Sequence, residues 1–266
     1  WFVAVMFMDF NQTGSFFPTD IKYNRTIPQV TDVVEEAFVR LKWDKKEKRD
    51  AYNNITEEYH WYTLGALGPH ILQSFKEVSA GFIVAVIVAL LVGFGAGFYR
   101  GFREYITPIN GVFMSIPAIA WAPMMLLFFK DPFVAIMVVV CIAAIPPMVI
   151  AIMEGVLTIT GTEVRAARSL GANVPQLFIY IYLPASLPFI TAGLRIGFAQ
   201  AWRALVAAEM FAGLGIGLGH VVKMASQLGD DRTMMLAVVL IGLLSYLFER
   251  LIFRRIEKHY EVWRIN

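Results

Sequence analysis

Five apolar runs dictate what this chain can become. They fall at about residues 71–99, 108–129, 133–153, 186–211 and 233–253. Each approaches or exceeds the ~20 residues that carry an α-helix across the hydrocarbon of a bilayer. In that solvent every backbone N–H and C=O must be satisfied within the segment, so an all-α, polytopic membrane protein is expected. Residues 1–10 are apolar but about half that length, and the chain starts at Trp1 rather than Met. We read them as the end of a first transmembrane helix, which brings the expected total to about six.

Composition agrees, with 58% hydrophobic against 17% charged residues in 266. That is too oily for a soluble domain of this size. A formal charge of +2, from 23 Lys and Arg against 21 Asp and Glu, is too balanced to suggest nucleic-acid binding. The single Cys141 rules out an intrachain disulfide and a cysteine metal site, and the four histidines are too scattered to form a ligand pair. A Gly-x-Ser-x-Gly nucleophile motif does not occur.

The expected organisation is therefore the helix end at 1–10, an extracytoplasmic segment at 11–67 with a charged insert (42–62), a transmembrane core at 68–253 and a cytoplasmic tail at 254–266. Orientation follows the basic residues in short flanks. Arg100 and Arg103, Arg165 and Arg168, and towards the tail Arg250, Arg254, Arg255, Lys258 and Arg264 fall on alternate connections. Those connections are expected to face the cytoplasm. The 11–67 segment holds eight Lys and Arg, but it is long, also acidic, and carries most of its charge away from the span ends. The rule has less force there.

The second span carries a small residue at every fourth position: Gly81, Ala85, Ala89, Gly93, Gly97 and Gly101. Such a ridge admits a neighbouring helix closely, the main source of helix association where lipid removes the hydrophobic drive. Pro117, Pro123, Pro146 and Pro147 lie in or beside the third and fourth spans and each removes a backbone donor. The fifth span bears Arg195, Gln200, Trp202, Arg203 and Glu209. A charge at membrane depth costs at least about 2.5 kcal/mol on insertion scales and normally faces protein or water. Arg195, Trp202 and Glu209 recur every seven residues on one helical face, with Gln200 and Arg203 extending it sideways. This stripe is expected to line a translocation pathway. The alternatives are that Arg195 snorkels to the interface, that Arg203 pairs with an acid at a subunit contact, and that Glu209 is a structural partner.

Between the fourth and fifth spans, residues 154–184 form a connection of roughly thirty residues. Thr162 is expected to cap a short helix with apolar positions Val164, Ala167 and Leu170, which Gly171 then stops. A short amphipathic helix of this kind suits docking into a partner's groove.

The same segment resembles the cytoplasmic signature of permease subunits of ATP-binding-cassette importers: Glu-Ala-Ala, three residues, Gly, nine residues, Ile, one residue, Leu-Pro. Ala166, Ala167, Gly171, Ile181, Leu183 and Pro184 stand at those gaps, while Arg165 replaces the Glu and Glu163 lies two residues earlier. Further segments are similar to the nitrate, sulfonate, taurine and bicarbonate subfamily: Ser115–Pro123, Leu183–Pro188, Ala192–Arg195, Ala201-Trp202, Ala207–Met210 and Gly213–Gly215. About residues 64–264 are covered.

The resemblance implies a type I importer permease fold, a homodimer in the bacterial inner membrane, and a periplasmic substrate-binding protein that delivers a small polar or anionic solute. It implies that Glu163, Arg165, Ala166, Ala167, Gly171, Ile181, Leu183 and Pro184 couple the spans to a separate ATPase subunit. No Gly-x-x-x-x-Gly-Lys-[Ser/Thr] loop occurs in this chain, so ATP and Mg are expected on that partner, with no catalysis, cofactor or metal here. A neutral vitamin precursor or aromatic solute is the alternative cargo. A self-sufficient channel or secondary carrier is the alternative of another class, although no internal repeat supports it.

Overall fold

The computed structural model describes residues 47–49, 55–57, 64–159, 161–212 and 216–264. The expected helix end at 1–10 and most of the 11–67 segment lie outside the described residues. Within the charged insert, strands β1 (Glu47–Arg49) and β2 (Ile55–Glu57) pair antiparallel with Lys48 opposite Thr56. The other described elements are helical. They are α1 (Leu64–Phe98), α2 (Arg100–Ser115), α3 (Ala118–Phe128), α4 (Pro132–Leu157), α5 (Gly161–Ser169), α6 (Val174–Leu177), a π-helical stretch (Phe178–Tyr182), α7 (Leu183–Ala212), α8 (Leu218–Leu228) and α9 (Asp231–Arg264).

Four of these segments are long and apolar enough to cross a membrane: Leu67–Phe98, Pro132–Leu157, Val174–Ala212 and Asp231–Leu251. Among the described residues, a fifth crossing requires α2 and α3 to act together, and they meet at 95°. The run at 108–129 is thus not the straight span its hydropathy suggests. Ile116 and Pro117 are extended. The residue before a proline is driven out of the α region, so the helix breaks there.

Helix α4 is the centre of the bundle, packed between α1 and α7. It starts where Asp131 Oδ1 accepts a hydrogen bond from the Phe133 amide at 3.0 Å, with Pro132 in the first turn where no donor is needed. The small-residue ridge of α1 faces it. A Cβ at Gly81 would lie 2.8 Å from Val140 Cγ1, at Gly93 2.7 Å from Ile152 Cβ, and at Gly97 2.6 Å from Val156 Cβ. Ala85 and Ala89 are fully buried, and Cys141 Sγ donates to the Gly81 carbonyl at 3.1 Å. On α7, Gly193 and Gly197 meet Ala151 and Met148 of α4 in the same way. Close helix contact is therefore built from glycine on both flanks. Outward residues such as Ile83, Leu91 and Leu127 are exposed, as a chain whose surroundings are apolar permits.

Candidate coupling arm and translocation face

Helix α5 begins at Gly161, so Thr162 sits inside its first turn rather than capping it as expected. Its end is a complete Schellman motif. The Gly171 amide donates to the Arg168 carbonyl at 3.0 Å and the Ala172 amide to the Ala167 carbonyl at 3.1 Å, with Gly171 at φ 87°. A side chain would strain that left-handed position. The chain then turns into α6 through a capping box in which Asn173 and Gln176 bond each other's amides.

Pro184 brings no N–H to the preceding turn, and the helix widens before it: the Leu183 amide reaches the Phe178 carbonyl. The widened turn holds Ile181 half-buried and carries two rings onto the end of α1. Phe178 lies 5.1 Å from Phe94, and Tyr182 lies 4.7 Å edge-on from Phe98, centroid to centroid. This aromatic latch joins the arm to the spans. No spacing rule reveals it, because its two halves stand about eighty residues apart.

Among the described residues, nothing covers the arm itself. Helix α5 buries none of its residues: Glu163, Arg165 and Ala166 are exposed, Ala167 is half-buried, and Leu170 is 90% exposed. Among the described residues, the Arg165 guanidinium hydrogen-bonds Thr162 Oγ1, at 3.4 Å.

The polar stripe of α7 divides. Arg195 Nε pairs with Glu249 Oε1 of α9 at 3.3 Å. Trp202 is 3% exposed and packs against Phe198 and Phe248, so it is part of the core and offers no surface to a solute in this conformation. Glu209 is also buried. It accepts hydrogen bonds from Ser74 Oγ at 2.5 Å and from the Gly219 amide at 2.7 Å. Ser74 accepts in turn from the Leu218 amide at 3.0 Å, and His70 Nδ1 from the Gly217 amide at 2.9 Å. These contacts clamp the start of α8 onto α1 and α7. Glycine is required there because a Cβ at Gly219 would lie 2.2 Å from the Val206 carbonyl. Gly213 and Gly215 lie outside the described residues. The sequence reading missed Ser74 and His70, since nothing on α1 alone distinguishes them from solvated polar residues. Beside the clamp on α8, burial and then Lys223 push the His220 imidazole below its ordinary range.

Two stripe residues keep a free aspect. Arg203 is exposed, its Nε donating to the Ala199 carbonyl at 3.1 Å. Gln200 lines a cavity of about 140 Å³ at the α2–α3 bend, walled also by Phe113, Pro117, Trp121 and Pro146.

Residues 71–261 match the family described as binding-protein-dependent transport system inner membrane component. A Methanocaldococcus jannaschii protein named as an ABC transporter permease is 32% identical over 75% of this chain and 74% of its own length. The nitrate import permease of Leptolyngbya laminosa is 32% identical over 68% of this chain and 65% of its own. In fold, the chain is similar to a chain of an inward-facing methionine ABC transporter, with a TM-score of 0.56 over 77% of this chain and 99% of that one, at 21% identity. The chain thus belongs to the binding-protein-dependent transport system inner membrane components, the multi-pass permease subunits of ABC transporters.

Proposed function

We propose that this chain forms, with a second copy, the translocation pathway of an ATP-driven importer, and that the arm at 154–184 receives a separate ATPase subunit. The observation that carries the reading is the state of the arm. Helix α5 is stopped rigidly at Gly171, presents Leu170 almost fully to its surroundings and buries nothing of its own. An exposed apolar position on a stiff short helix is the geometry of a knob for a partner's groove. Glu163, Arg165, Ala166 and Ala167 form the docking face, Gly171 fixes its end, and Ile181, Leu183 and Pro184 shape the widened turn that passes movement to α1 and α7.

ATP and Mg bind to the partner. Closure of two ATPase copies draws the two arms together and shifts the spans from an inward- to an outward-facing arrangement, to which a periplasmic binding protein delivers solute. The cargo is a small polar or anionic solute. Support comes from the nitrate import permease among the relatives and from the exposed Arg203, which supplies positive potential with Gln200 beside it. Arg195, Trp202 and Glu209 act as the framework behind that face.

The test is Gly171→Glu in the chain co-expressed with its candidate ATPase subunit. Weakened co-purification or uncoupled uptake is expected; unchanged assembly and uptake would refute the assignment. Uptake by Arg203→Ala that still assembles tests the pathway, and wild-type transport would remove Arg203 from it.

A further inference from the structure

Two carboxyl groups are buried where α1, α7 and α8 meet, at the end of α7 remote from the coupling arm. Glu77 on α1 is fully buried, and Glu209 on α7 is 2% exposed. The two side chains lie within hydrogen-bond reach of each other. Their remaining contacts differ. Both oxygens of Glu209 accept hydrogen bonds, one from Ser74 Oγ and one from the Gly219 amide. Glu77 Oε1 accepts from Gln73 Nε2 at 2.7 Å, whereas its Oε2 is buried and meets no donor among the described residues.

The charged and titratable neighbours on the packed elements are His70 on α1, Cys141 on α4, Arg203 on α7, His220 and Lys223 on α8, and Glu249 on α9. His70 Nδ1 takes the Gly217 amide, the Cys141 thiol donates to the Gly81 carbonyl, Glu249 pairs with Arg195, and Arg203 is exposed. His220 and Lys223 act on each other. Among the described residues, none of these groups bonds either carboxyl. Two carboxylates side by side, out of water and without a countercharge, cannot both stay ionised. A proton on Glu77 Oε2 removes the conflict, because it turns an unmatched acceptor into a donor facing Glu209. Glu209, with two donors already in place, is the better-supported anion. The start of α8 closes directly over it: a Cβ at Gly217 would lie 2.7 Å from Glu209 Cδ.

We infer that Glu77 and Glu209 form a proton-binding site, with one proton held between them on Glu77 Oε2, and that this proton locks the start of α8 onto α1 and α7. Glu209 accepts from the Gly219 amide directly and holds the Leu218 amide through Ser74. When the proton leaves, a second buried charge stands against the first, and the carboxylates part. The acceptor that anchors α8 moves with them. Because the locked state binds a proton that the open state releases, the lock weakens as pH rises. Neither an ATPase nor a solute is needed for this response, which sits at the end of the bundle opposite the arm.

The experiment uses the full chain in nanodiscs, titrated from about pH 6 to about pH 10, past the range in which buried glutamates lose their protons. Infrared spectroscopy follows the C=O stretch of a protonated carboxyl. Hydrogen exchange, corrected for its intrinsic pH dependence, follows the amides at the start of α8, from Gly217 to Val221. The unaltered chain should show the band at about pH 6 and lose it as pH rises. Protection of those amides should fall with it by at least about tenfold, the effect of one hydrogen bond to a charged group. Glu77→Gln supplies the donor without a titrating proton, so it should remove the band and keep α8 protected throughout. Absence of the band in the unaltered chain, a band that survives in both Glu77→Gln and Glu209→Gln, or α8 exchange that follows pH equally in the unaltered chain and in Glu77→Gln would overturn the inference. So would a band that emerges only after sodium and calcium are removed, which would make the pair a metal site. Should Glu77→Gln not assemble, the unaltered chain decides: joint loss of the band and of α8 protection supports the lock, and loss of one without the other refutes it.

Discussion

Replacing Gly97 with alanine should destabilise the bundle, whereas the same change at Gly101 should not. At Gly97 the new Cβ would stand 2.6 Å from Val156 Cβ and 2.8 Å from its Cγ1, both on α4. Carbon atoms need about 3.5 to 4.0 Å, so α1 and α4 must part by roughly 1 Å at that level. A gap of that size forfeits about a quarter to a half of each dispersion contact it opens, and neighbours at Gly93 and Ala89 share the loss. Overpacking of this kind costs about 1–3 kcal/mol, against which alanine regains about 0.5–1 kcal/mol of helix propensity. The net expectation is a loss of about 1 kcal/mol, within a range of roughly 0–2.5 kcal/mol. At Gly101 nothing lies within 4 Å of the added Cβ, so only the propensity gain remains. The assay is thermal unfolding of both variants in the same detergent, followed by tryptophan fluorescence. If Gly97→Ala melts at or above Gly101→Ala, the close approach of α1 to α4 is not what holds these helices together.

Three further outcomes follow from the contacts described. Ser74→Ala removes both the donor to Glu209 Oε1 and the acceptor of the Leu218 amide, and should cost about 2–4 kcal/mol in denaturant unfolding; a change within about 0.5 kcal/mol would contradict the clamp. Arg195→Gln should cost about 1 kcal/mol or less in the same measurement, because both partners of its pair with Glu249 are more than one-third exposed; a loss of several kcal/mol would mean the pair is far better shielded than it looks. Gly171→Val forces a β-branched residue to φ 87° and should speed amide hydrogen exchange in residues 167–172 by about tenfold, from ~1–2 kcal/mol of strain; unchanged protection would show that the Schellman stop does not stiffen the arm.

The apolar runs located most of the spans because bilayer thickness sets helix length directly: three of the four long spans lie within about four residues of their runs, while the one ending at Ala212 begins at Val174, twelve residues before its run and inside the segment read as the 154–184 connection. The bend at Ile116–Pro117 was not legible in the same way. Pro117 marks a break, but its 95° direction comes from packing of α2 and α3 on α4. The helix stop at Gly171 was legible because glycine acts on its own local backbone, while the widened turn before Pro184 was not read from the sequence. The stripe on α7 shows the limit. A heptad places Arg195, Trp202 and Glu209 on one face but cannot say what the face meets. That depends on Ser74, 135 residues before Glu209, and on Phe248 and Glu249 of α9. Gln200 and Arg203, at the stripe's edge, are the residues that stay open.

The account turns on the arm as the grip for an energy-supplying partner, and one measurement addresses it directly. A photo-crosslinking amino acid is placed at Leu170, the most exposed apolar residue of the arm, and irradiated in native membranes; a second is placed at Leu91, exposed on α1. The account predicts a crosslink from position 170 to a nucleotide-binding ATPase subunit and none to that subunit from position 91. Crosslinks from position 170 to lipid alone would contradict it.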